Sequence, residues 1–588
     1  MTNFVLKKEI WLPIIILIVA GSFIYSFNLN NELFWDDNDW ILNNDFVHEL
    51  SWSNIKFWLT HNTLAGVGLQ SNYYRPFLFF TFALNYVISG TNPFGYHLLS
   101  NLIHIANGIL VFSILYLVFR RKLLAFLTSL IFLVHPLQTE AITYIAGRGD
   151  VLVTMFMLAS LLLFYLAESK NKDWLDWRKI LSLVFLVLAL LSRETGIIFP
   201  VLILAFYIAA LSPDRFIKSV KAGLIKTWPY FGIVFIYGIL RLTVLNFQNT
   251  LNFYAEPNIY SENLYVRFFT FLPILWGYIK LLFVPTGLHM ERSINVYTSL
   301  FQWPVWLVAT GVFCSLYFVY RLYRKKNPGM DYNIWLLGLS WFFIALGPVS
   351  GITPINALMY EHWLYLPMIG FWLIVSFYLV RLFDYLKKDR KYLFVICVLL
   401  FGAYVSFFCY QSVKRNILWG DEEKFYMDIL KYEPASSRIN NNLGNLYFNN
   451  GDIKNAEIYY RKATEVGDVF AEPYYNLGTI LQSKGDIYGA IQLYEKAIEI
   501  NPGFYYPYQN LSVIYAQQGD LTKAIENIET LKLLLPNNPR VYYNSALIYI
   551  VLNNKEQVLM DLRAGLKYAD LDPQTSELIK ELIEKLQN

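Results

Sequence analysis

The sequence predicts an all-α protein in which a polytopic helical membrane domain of about 11 spans precedes a solenoid of helical repeats. The 588 residues are 56% hydrophobic with a mean hydropathy of +0.37, which is too apolar for a soluble protein of ordinary composition. Apolar runs of spanning length alternate with short polar loops up to about residue 411. From about residue 436 the chain becomes polar and repeats with a fixed period.

The Lys and Arg residues in the loops between the predicted spans indicate which side of the membrane each loop faces. Clusters of Lys and Arg, such as residues 120–122, mark cytoplasmic loops and place the N-terminus inside and the C-terminus outside. No small-residue cleavage site follows the first apolar run, so we expect an uncleaved anchor. Loops 29–95, 138–150, 248–302 and 349–364 then share the external side. The spans begin near Ile10, Tyr96, Leu123, Val151, Ile180, Ile197, Trp228, Trp303, Asn333, Tyr365 and Tyr392.

Residues 264–284 are the exception in this count. They are apolar enough to span, but a span here would place the basic cluster around Arg321 outside. The charge rule therefore favours an interfacial or re-entrant helix, and the sequence alone leaves both arrangements open.

The polar C-terminal part repeats every 34 residues, with small residues at helix contacts and a Gly-Asp turn, which is typical of tetratricopeptide repeats. We divide the chain into a membrane domain at 1–411, a linker at 412–435, four repeats at 436–570 and a capping helix at 571–588. In the fourth repeat Asn553 replaces the turn glycine. Residues in register include Leu443, Leu477 and Leu511, and Gly451, Gly485 and Gly519.

Two adjacent acids, Asp36 and Asp37, follow the first span between Trp35 and Trp40. One interpretation is a solvated turn that caps a short helix. The other is a functional carboxylate pair at headgroup level, where tryptophan is enriched and charge is costly. The run 37–39 also matches the Asp-x-Asp metal motif of nucleotide-sugar transfer, but those donors are cytoplasmic and this loop is predicted outside. A divalent metal stays open without a convincing ligand set, and no other cofactor is expected.

Further charged residues gather on the same predicted side. Charges at this depth are functional candidates, and the planar fork of arginine suits a phosphate group. The structural alternatives are an ion pair of Arg148 with Asp150 or Glu140, helix-end roles, and simple headgroup contact for Arg75. The candidates are Arg75, Glu140, Arg148, Asp150, Arg193, Glu194 and Glu361.

The chain resembles the transmembrane and tetratricopeptide-repeat-containing O-mannosyltransferases, in particular their prokaryotic relatives. The resemblance rests on FWDDNDWILNN, YYRPFLFFTFALNYVISGTNPFGYHLLSNLIHIANGILVF, HPLQTEAITYIAGRGD, SRETG and YEHWLYLP, followed by the repeats. It implies a polytopic glycosyltransferase of the C superfamily, which takes a sugar from a polyprenyl-phosphate carrier on the external side. It also implies that Asp36 or Asp37 is essential and that Glu140, Arg148 and Asp150 line the same cavity.

Two departures from the family pattern affect this expectation. The relatives usually have Glu-Arg where this chain has Glu361-His362, and often Lys-Glu where it has Arg193-Glu194. The second exchange keeps the charge. The first loses a permanent cation, so we do not expect His362 to contact phosphate.

The sequence therefore predicts an inverting hexosyltransferase that moves a mannose-like sugar to a protein Ser or Thr hydroxyl. One carboxylate takes the hydroxyl proton, and cations or oriented donors stabilise the leaving lipid phosphate. The alternatives are a non-catalytic membrane-anchored repeat scaffold, or a carrier-dependent transferase that acts on a glycan or lipid. The predicted partners are the donor lipid, the bilayer and a protein or peptide acceptor, with no nucleic acid.

The repeats carry an asparagine ladder that we interpret as a peptide-binding surface. An Asn side chain offers a donor and an acceptor, which matches an extended peptide backbone. The ladder is similar to that in the repeat domain of the cytoplasmic protein O-linked N-acetylglucosamine transferase. The alternative is that Asn is a common consensus residue at this position. The four residues are Asn442, Asn476, Asn510 and Asn544.

Overall fold

A computed structural model describes residues 8–67, 69, 71–212, 216–247, 258–325, 329–355, 357–467, 470–568 and 572–587. All regular secondary structure among these residues is helical. The chain divides into two compact units, Met1–Phe425 and Tyr426–Asn588. The helical membrane-plus-repeat fold class is thus confirmed, while the exact domain bounds stay predictions. The predicted bound at 570/571 lies outside the described residues.

The first unit holds the apolar helices. Each of the eleven predicted spans corresponds to a helix, namely α1, α4, α5, α7 to α10 and α13 to α16. The helices are α1 Lys8–Tyr25, α2 Trp52–Thr60, α3 Pro76–Ser89, α4 Pro93–Phe119, α5 Lys122–Val134, α6 Thr139–Thr143, α7 Arg148–Glu168, α8 Trp177–Ser192, α9 Phe199–Ala210, α10 Phe216–Leu242, α11 Ile259–Glu262, α12 Leu264–Phe283, α13 Trp303–Tyr323, α14 Met330–Leu346, α15 Met368–Asp389, α16 Lys391–Leu418 and α17 Glu422–Leu430, which continues into the second unit.

The number of helices long enough to cross a membrane is smaller than predicted. Nine described helices, α12 included, are long and apolar enough, and the bent pair α5–α6, with a 53° break, raises the number to ten. The predicted spans α8 and α9 fall short because they have 16 and 12 residues. The chain is nonetheless a multi-pass membrane protein.

Helix α12 has the length of a span, yet both of its ends contact the loop between α14 and α15. Near its start, Arg267 Nε donates to the Gly351 carbonyl at 2.6 Å. Just beyond its end, the His289 N–H donates to Glu361 Oε1 at 2.7 Å. Because α14 and α15 are antiparallel neighbours, their connecting loop lies on one side. These contacts therefore favour the interfacial or re-entrant arrangement.

The acidic loop after α1 is fastened to the end of α16. The Asn31 amide donates to the Asn416 carbonyl at 2.8 Å. The Phe34 ring lies 5.8 Å from Trp419 and 5.4 Å from Phe425, and these two rings lie 4.2 Å apart. Aromatic pairs at such distances add to the stabilisation from burial. The predicted linker 412–435 thus begins with helical residues that hold this loop.

The second unit is a row of helix pairs closed by one further helix. We call the first helix of each pair an A helix and the second a B helix. Gly485 takes the left-handed conformation at φ +84°, and Asn553 takes it at φ +54° in the degraded fourth copy, because Asn tolerates this region better than most residues. The A helices are α18 Ser437–Asn449, α20 Glu472–Ser483, α22 Tyr505–Gln517 and α24 Pro539–Val551; the B helices are α19 Ile453–Glu465, α21 Ile487–Ile500, α23 Leu521–Leu534 and α25 Lys555–Leu566; α26 is Pro573–Gln587.

Candidate active site

The two adjacent acids lie at a sharp turn of the backbone. Trp35, immediately before them, has φ +61°, which is strained for a bulky side chain and is a feature that clusters at functional sites. A single π-helical turn, Asn38–Leu42, follows. The turn separates the environments of the two carboxyl groups: Asp37 is buried at 3% exposure, whereas Asp36 is half-buried.

The Asp37 carboxyl is held by the loop that precedes α7. Its Oδ1 accepts a hydrogen bond of 2.7 Å from the Ala146 N–H. Burial raises the pKa of Asp37 to about 8, against the lowering effect of that hydrogen bond and of Arg148, while the neighbouring Asp36 raises the pKa further. Asp37 therefore keeps its proton at neutral pH. The Asp36 carboxylate forms a hydrogen bond with the Tyr144 hydroxyl.

Three of the predicted charged groups meet through His362. The His362 Nδ1 lies 2.5 Å from Oε1 of the fully buried Glu140. Its Nε2 faces Arg193 at 3.4 Å, and Arg193 forms an ion pair with Asp150 at 2.6 Å. A neutral imidazole with Nδ1–H donating to Glu140 can accept from Arg193 at Nε2. The structure thus links loops that lie far apart in the sequence.

A second ion pair extends this cluster toward the start of α3. Arg75 Nε lies 3.0 Å from Glu194 Oε2, and the Tyr74 N–H donates to Glu194 Oε1 at 2.8 Å. Arg193 also interacts electrostatically with both Arg75 and Glu194. Two arginines and their acids therefore share one polar region.

Arg148 is placed differently from the other predicted arginines. It is fully buried and donates to neutral groups on α3 and α4, including Asn85 Oδ1 at 2.7 Å and Ser100 Oγ at 3.0 Å. The structural alternative, an ion pair of Arg148 with Asp150 or Glu140, is not the arrangement found, because those acids pair with Arg193 and His362. A phosphate contact of Arg148 stays a prediction. The hydrogen bonds that Arg148 makes join the start of α7 to α3 and α4, which is a structural role.

Glu361 is the centre of a cluster that the sequence analysis only partly identified. It is fully buried between two arginines, Arg292 at 2.7 Å and Arg415 at 2.8 Å. Neither arginine is among the site residues predicted from the sequence. The signals for them were a charge at the end of the last apolar run, for Arg415, and an arginine in a long external loop, for Arg292. Glu361 also interacts electrostatically with Glu140, so this cluster adjoins the His362 cluster.

An apolar cleft of about 570 Å³ lies between α12, α13, α14 and α15. Phe283, at the end of α12, lines the cleft together with Phe371 near the start of α15. Five residues beyond Phe283, the Leu288 carbonyl accepts a hydrogen bond from Arg415 at 2.5 Å. One end of the cleft is therefore followed along the chain by the segment that contacts Arg415 and carries Arg292.

The asparagine ladder of the repeats is partly engaged in contacts with neighbouring helices, one of them an A helix and one a B helix. Asn476 donates to Asn441 Oδ1 at 2.9 Å and to Asn445 Oδ1 at 3.1 Å, and Asn510 donates to the Tyr494 hydroxyl at 2.9 Å. The four predicted residues, Asn442, Asn476, Asn510 and Asn544, are half-buried. Their acceptor-binding role stays a prediction. Within the part of the chain that the structure describes, no cluster of three His, Cys, Asp or Glu side chains is arranged to hold a metal ion.

Sequence comparison finds similarities to known families in both parts of the chain. Residues 75–240 match the profile of the dolichyl-phosphate-mannose-protein mannosyltransferases, and tetratricopeptide-repeat profiles match 437–466, 471–504 and 493–526. A protein O-mannosyl-transferase of Caenorhabditis elegans, F38B6.6, is 25% identical over 77% of this chain. TMTC3 of Mus musculus is 26% identical over 67% of it. The resemblance to the repeat-containing O-mannosyltransferases is confirmed.

The chain matches only part of the length of these proteins. The alignments cover 62% of the C. elegans protein and 44% of mouse TMTC3. Among solved structures, ArnT from Cupriavidus metallidurans bound to undecaprenyl phosphate is similar with a TM-score of 0.38 and 13% identity, over 86% of this chain and 81% of ArnT. The peptide-binding repeat protein YrrB has a TM-score of 0.24 and 20% identity, over 35% of this chain and 97% of YrrB.

The residues that match the mannosyltransferase profile include most of the charged cluster. Arg75, Glu140, Asp150 and Arg193 all fall within the matched residues 75–240. The acidic loop precedes that segment, and the Glu361 cluster follows it. The candidate site is therefore assembled from three separate stretches of the membrane domain.

Proposed function

We propose that the chain is a membrane glycosyltransferase that moves a mannose-like sugar from a polyprenyl-phosphate carrier to a protein Ser or Thr hydroxyl on the external side. The observation that carries this proposal is the acidic pair. Asp37 is buried with its pKa raised to about 8, and Asp36 is half-buried and hydrogen-bonded to Tyr144, in the same segment 138–150 as Glu140 and Arg148. In this topology the N-terminus is cytoplasmic and the repeats are external, where they recruit the acceptor through Asn442, Asn476, Asn510 and Asn544.

Asp36 is the proposed general base. With Asp37 protonated, the negative charge of the adjacent side chain is removed, which favours the carboxylate form of Asp36. The acceptor hydroxyl gives its proton to Asp36 while its oxygen attacks the anomeric carbon. The bond from that carbon to the phosphate oxygen breaks, and polyprenyl phosphate leaves with one additional negative charge. Attack opposite the leaving group inverts the anomeric configuration.

The donor phosphate is proposed to lie near His362, between Arg193 and Arg292. The side chains of these arginines are 12% and 14% exposed, whereas Arg148 and Arg415 are more deeply buried at 0% and 5%. Partly exposed arginines can stabilise the charge that grows on the leaving phosphate. Arg75, Glu194, Asp150, Glu140 and Glu361 orient these cations. The apolar cleft beside α12 suits the hydrocarbon chain of the carrier.

The test is sugar transfer by purified protein from radiolabelled polyprenyl-phosphate mannose to a pool of Ser- and Thr-containing peptides. We expect Asp36→Asn to abolish transfer. We expect Asp37→Asn to retain much of it, because an amide imitates the protonated acid and its oxygen can still accept from Ala146. Asp45→Asn is the control, since Asp45 lies in the same loop with a 96% exposed side chain.

Two results would contradict the proposal. Full activity of Asp36→Asn would remove Asp36 from the reaction. Absence of transfer by folded wild-type protein from mannose, glucose and aminosugar donors would favour the scaffold or the transferase that acts on a glycan or lipid.

A further inference from the structure

The A helices and the B helices of the repeats differ sharply in charge. The four A helices carry three charged side chains in 51 residues, and the four B helices carry 16 in 53. The three on the A helices are Arg438, Glu472 and Arg540. Helix propensity does not require this difference, because Lys, Glu and Arg are good helix formers.

The first three A helices, α18, α20 and α22, form one continuous face, because their side chains contact each other from repeat to repeat. The Asn476 amide on α20 reaches Asn441 and Asn445 on α18. The Tyr475 ring on α20 lies 5.5 Å from Tyr506 on α22, and Tyr475 forms a side-chain hydrogen bond with Asn510. We call the surface made by these six residues the amide–tyrosine face.

This face offers hydrogen bonds and rings but almost no charge. In the contacts above, Asn441 and Asn445 accept through their carbonyl oxygens, so their NH₂ groups are the donors they can offer to a partner. Tyr506 is 43% exposed and supplies ring surface with a polar tip. A charged side chain placed here would lose hydration without gaining an opposite charge.

We propose that the amide–tyrosine face binds an uncharged, extended acceptor segment rich in Ser and Thr. Amide groups pair with the peptide backbone, and tyrosine rings pack against small side chains and hydroxyl groups. This inference rests on the proposed function and specifies its acceptor class. It requires selectivity against acidic and basic peptides and a weak dependence on salt, because no ion pairs contribute.

The test measures binding of fluorescent 20-residue peptides to full-length Asp36→Asn protein in detergent, so that turnover does not interfere. The probes are a Ser/Thr/Gly/Asn peptide and two versions with every fourth residue replaced by Glu or by Lys. We expect each charged version to bind at least about tenfold more weakly. We expect the affinity of the neutral peptide to change less than about twofold between low and high salt.

Matched variants locate the binding surface. Tyr506→Ala and Asn441→Ala should each weaken binding of the neutral peptide roughly tenfold, which is the scale of one lost hydrogen bond or ring contact. Tyr488→Ala is the control, because Tyr488 lies on a B helix and is 73% exposed. Equal effects of Tyr506→Ala and Tyr488→Ala would overturn the inference, as would tighter binding of either charged peptide or no binding of the neutral one.

The two proposals fail in different ways. Wild-type protein that transfers sugar but binds neutral and charged peptides alike would overturn this inference and leave the proposed function intact. Protein that binds the neutral peptide selectively but transfers no sugar from any polyprenyl-phosphate donor would overturn the proposed function and leave the binding preference of the face intact.

Discussion

Nδ1 of His362 lies 2.5 Å from Oε1 of Glu140, although 222 residues of chain separate them. The same imidazole faces Arg193 through its other nitrogen at 3.4 Å. His362 therefore connects a buried acid to a partly exposed cation. We predicted no phosphate contact for His362 itself, but this position lets it set the orientation of an arginine that we propose to bind phosphate.

Glu140 and His362 should behave as one unit in catalysis. We expect Glu140→Gln and His362→Gln each to reduce the transfer rate at least about tenfold, and the double variant to be no slower than the slower single variant, because residues that act together are non-additive. Rates with purified protein test this, with His61→Gln, an exposed histidine outside the cluster, as the control. Additive losses would show two independent roles.

Substitutions at Arg148 and at Arg292 should have different main effects, the first on stability and the second on donor binding. Arg148→Gln leaves several buried partners without a donor, so we expect a loss of about 3 kcal/mol or more in unfolding free energy. Arg292→Gln should destabilise the protein less, because Glu361 keeps its ion pair with Arg415, and should raise the KM for the donor. Thermal unfolding in detergent and donor titrations check both. A stable but inactive Arg148→Gln would instead assign Arg148 to the reaction.

The buried acid predicts how stability depends on pH. Folded Asp37 holds its proton up to about pH 8, while the unfolded side chain loses it near its ordinary value of 3.8. Folding therefore takes up a proton between these pH values, and this residue makes stability fall as pH rises through them. Asp37→Asn should flatten the dependence of the unfolding temperature on pH, and Asp45→Asn should not. An unchanged slope in Asp37→Asn would contradict the raised pKa.

The contacts of α12 predict which side its flanking loops face. In a background without the three native cysteines, Glu262→Cys and Asn295→Cys flank the helix at exposed positions. We expect both to react with a membrane-impermeant thiol reagent from the side on which the repeats lie. Labelling of the two cysteines from opposite sides would show that α12 spans.

The turns of the repeats predict opposite effects at equivalent positions. Gly485→Ala puts a Cβ into the left-handed region and should destabilise its repeat by about 1 kcal/mol. Asn553→Gly relieves the milder strain at the matching turn and should leave the fourth repeat equal or more stable. Hydrogen exchange of the full chain can resolve the two repeats. Destabilisation by Asn553→Gly would show that the Asn side chain itself holds the turn.

The sequence was sufficient for the features that repeat or that extend along the chain. Each of the eleven apolar runs in the sequence corresponds to a helix in the structure, because burial in lipid requires long, uniformly apolar segments. The 34-residue period located the helix pairs, including the turn at Asn553. The apolar pattern overestimated the number of full-length spans, because α8 and α9 are short helices whose composition alone resembles that of a span.

Pairings between distant loops could not be predicted in this way. Glu140, Arg193 and Glu361 were predicted from the sequence as functional charges near the membrane surface. The ion-pair partner of each residue could not be predicted. Arg292 and Arg415 carry no local motif, and their role depends on the fold bringing both to Glu361. Local sequence likewise did not reveal that Arg148 is turned toward Asn85 and Ser100.

The aromatic contacts of Phe34 with Trp419 and Phe425 set a minimum length for any catalytically competent fragment. A chain cut at residue 411, where the apolar sequence ends, loses both rings together with Asn416, which accepts from Asn31. The turn that presents Asp36 would then lose its support, even though every proposed reacting group was still present. The segment that precedes the repeats therefore stabilises the acidic loop near the start of the chain.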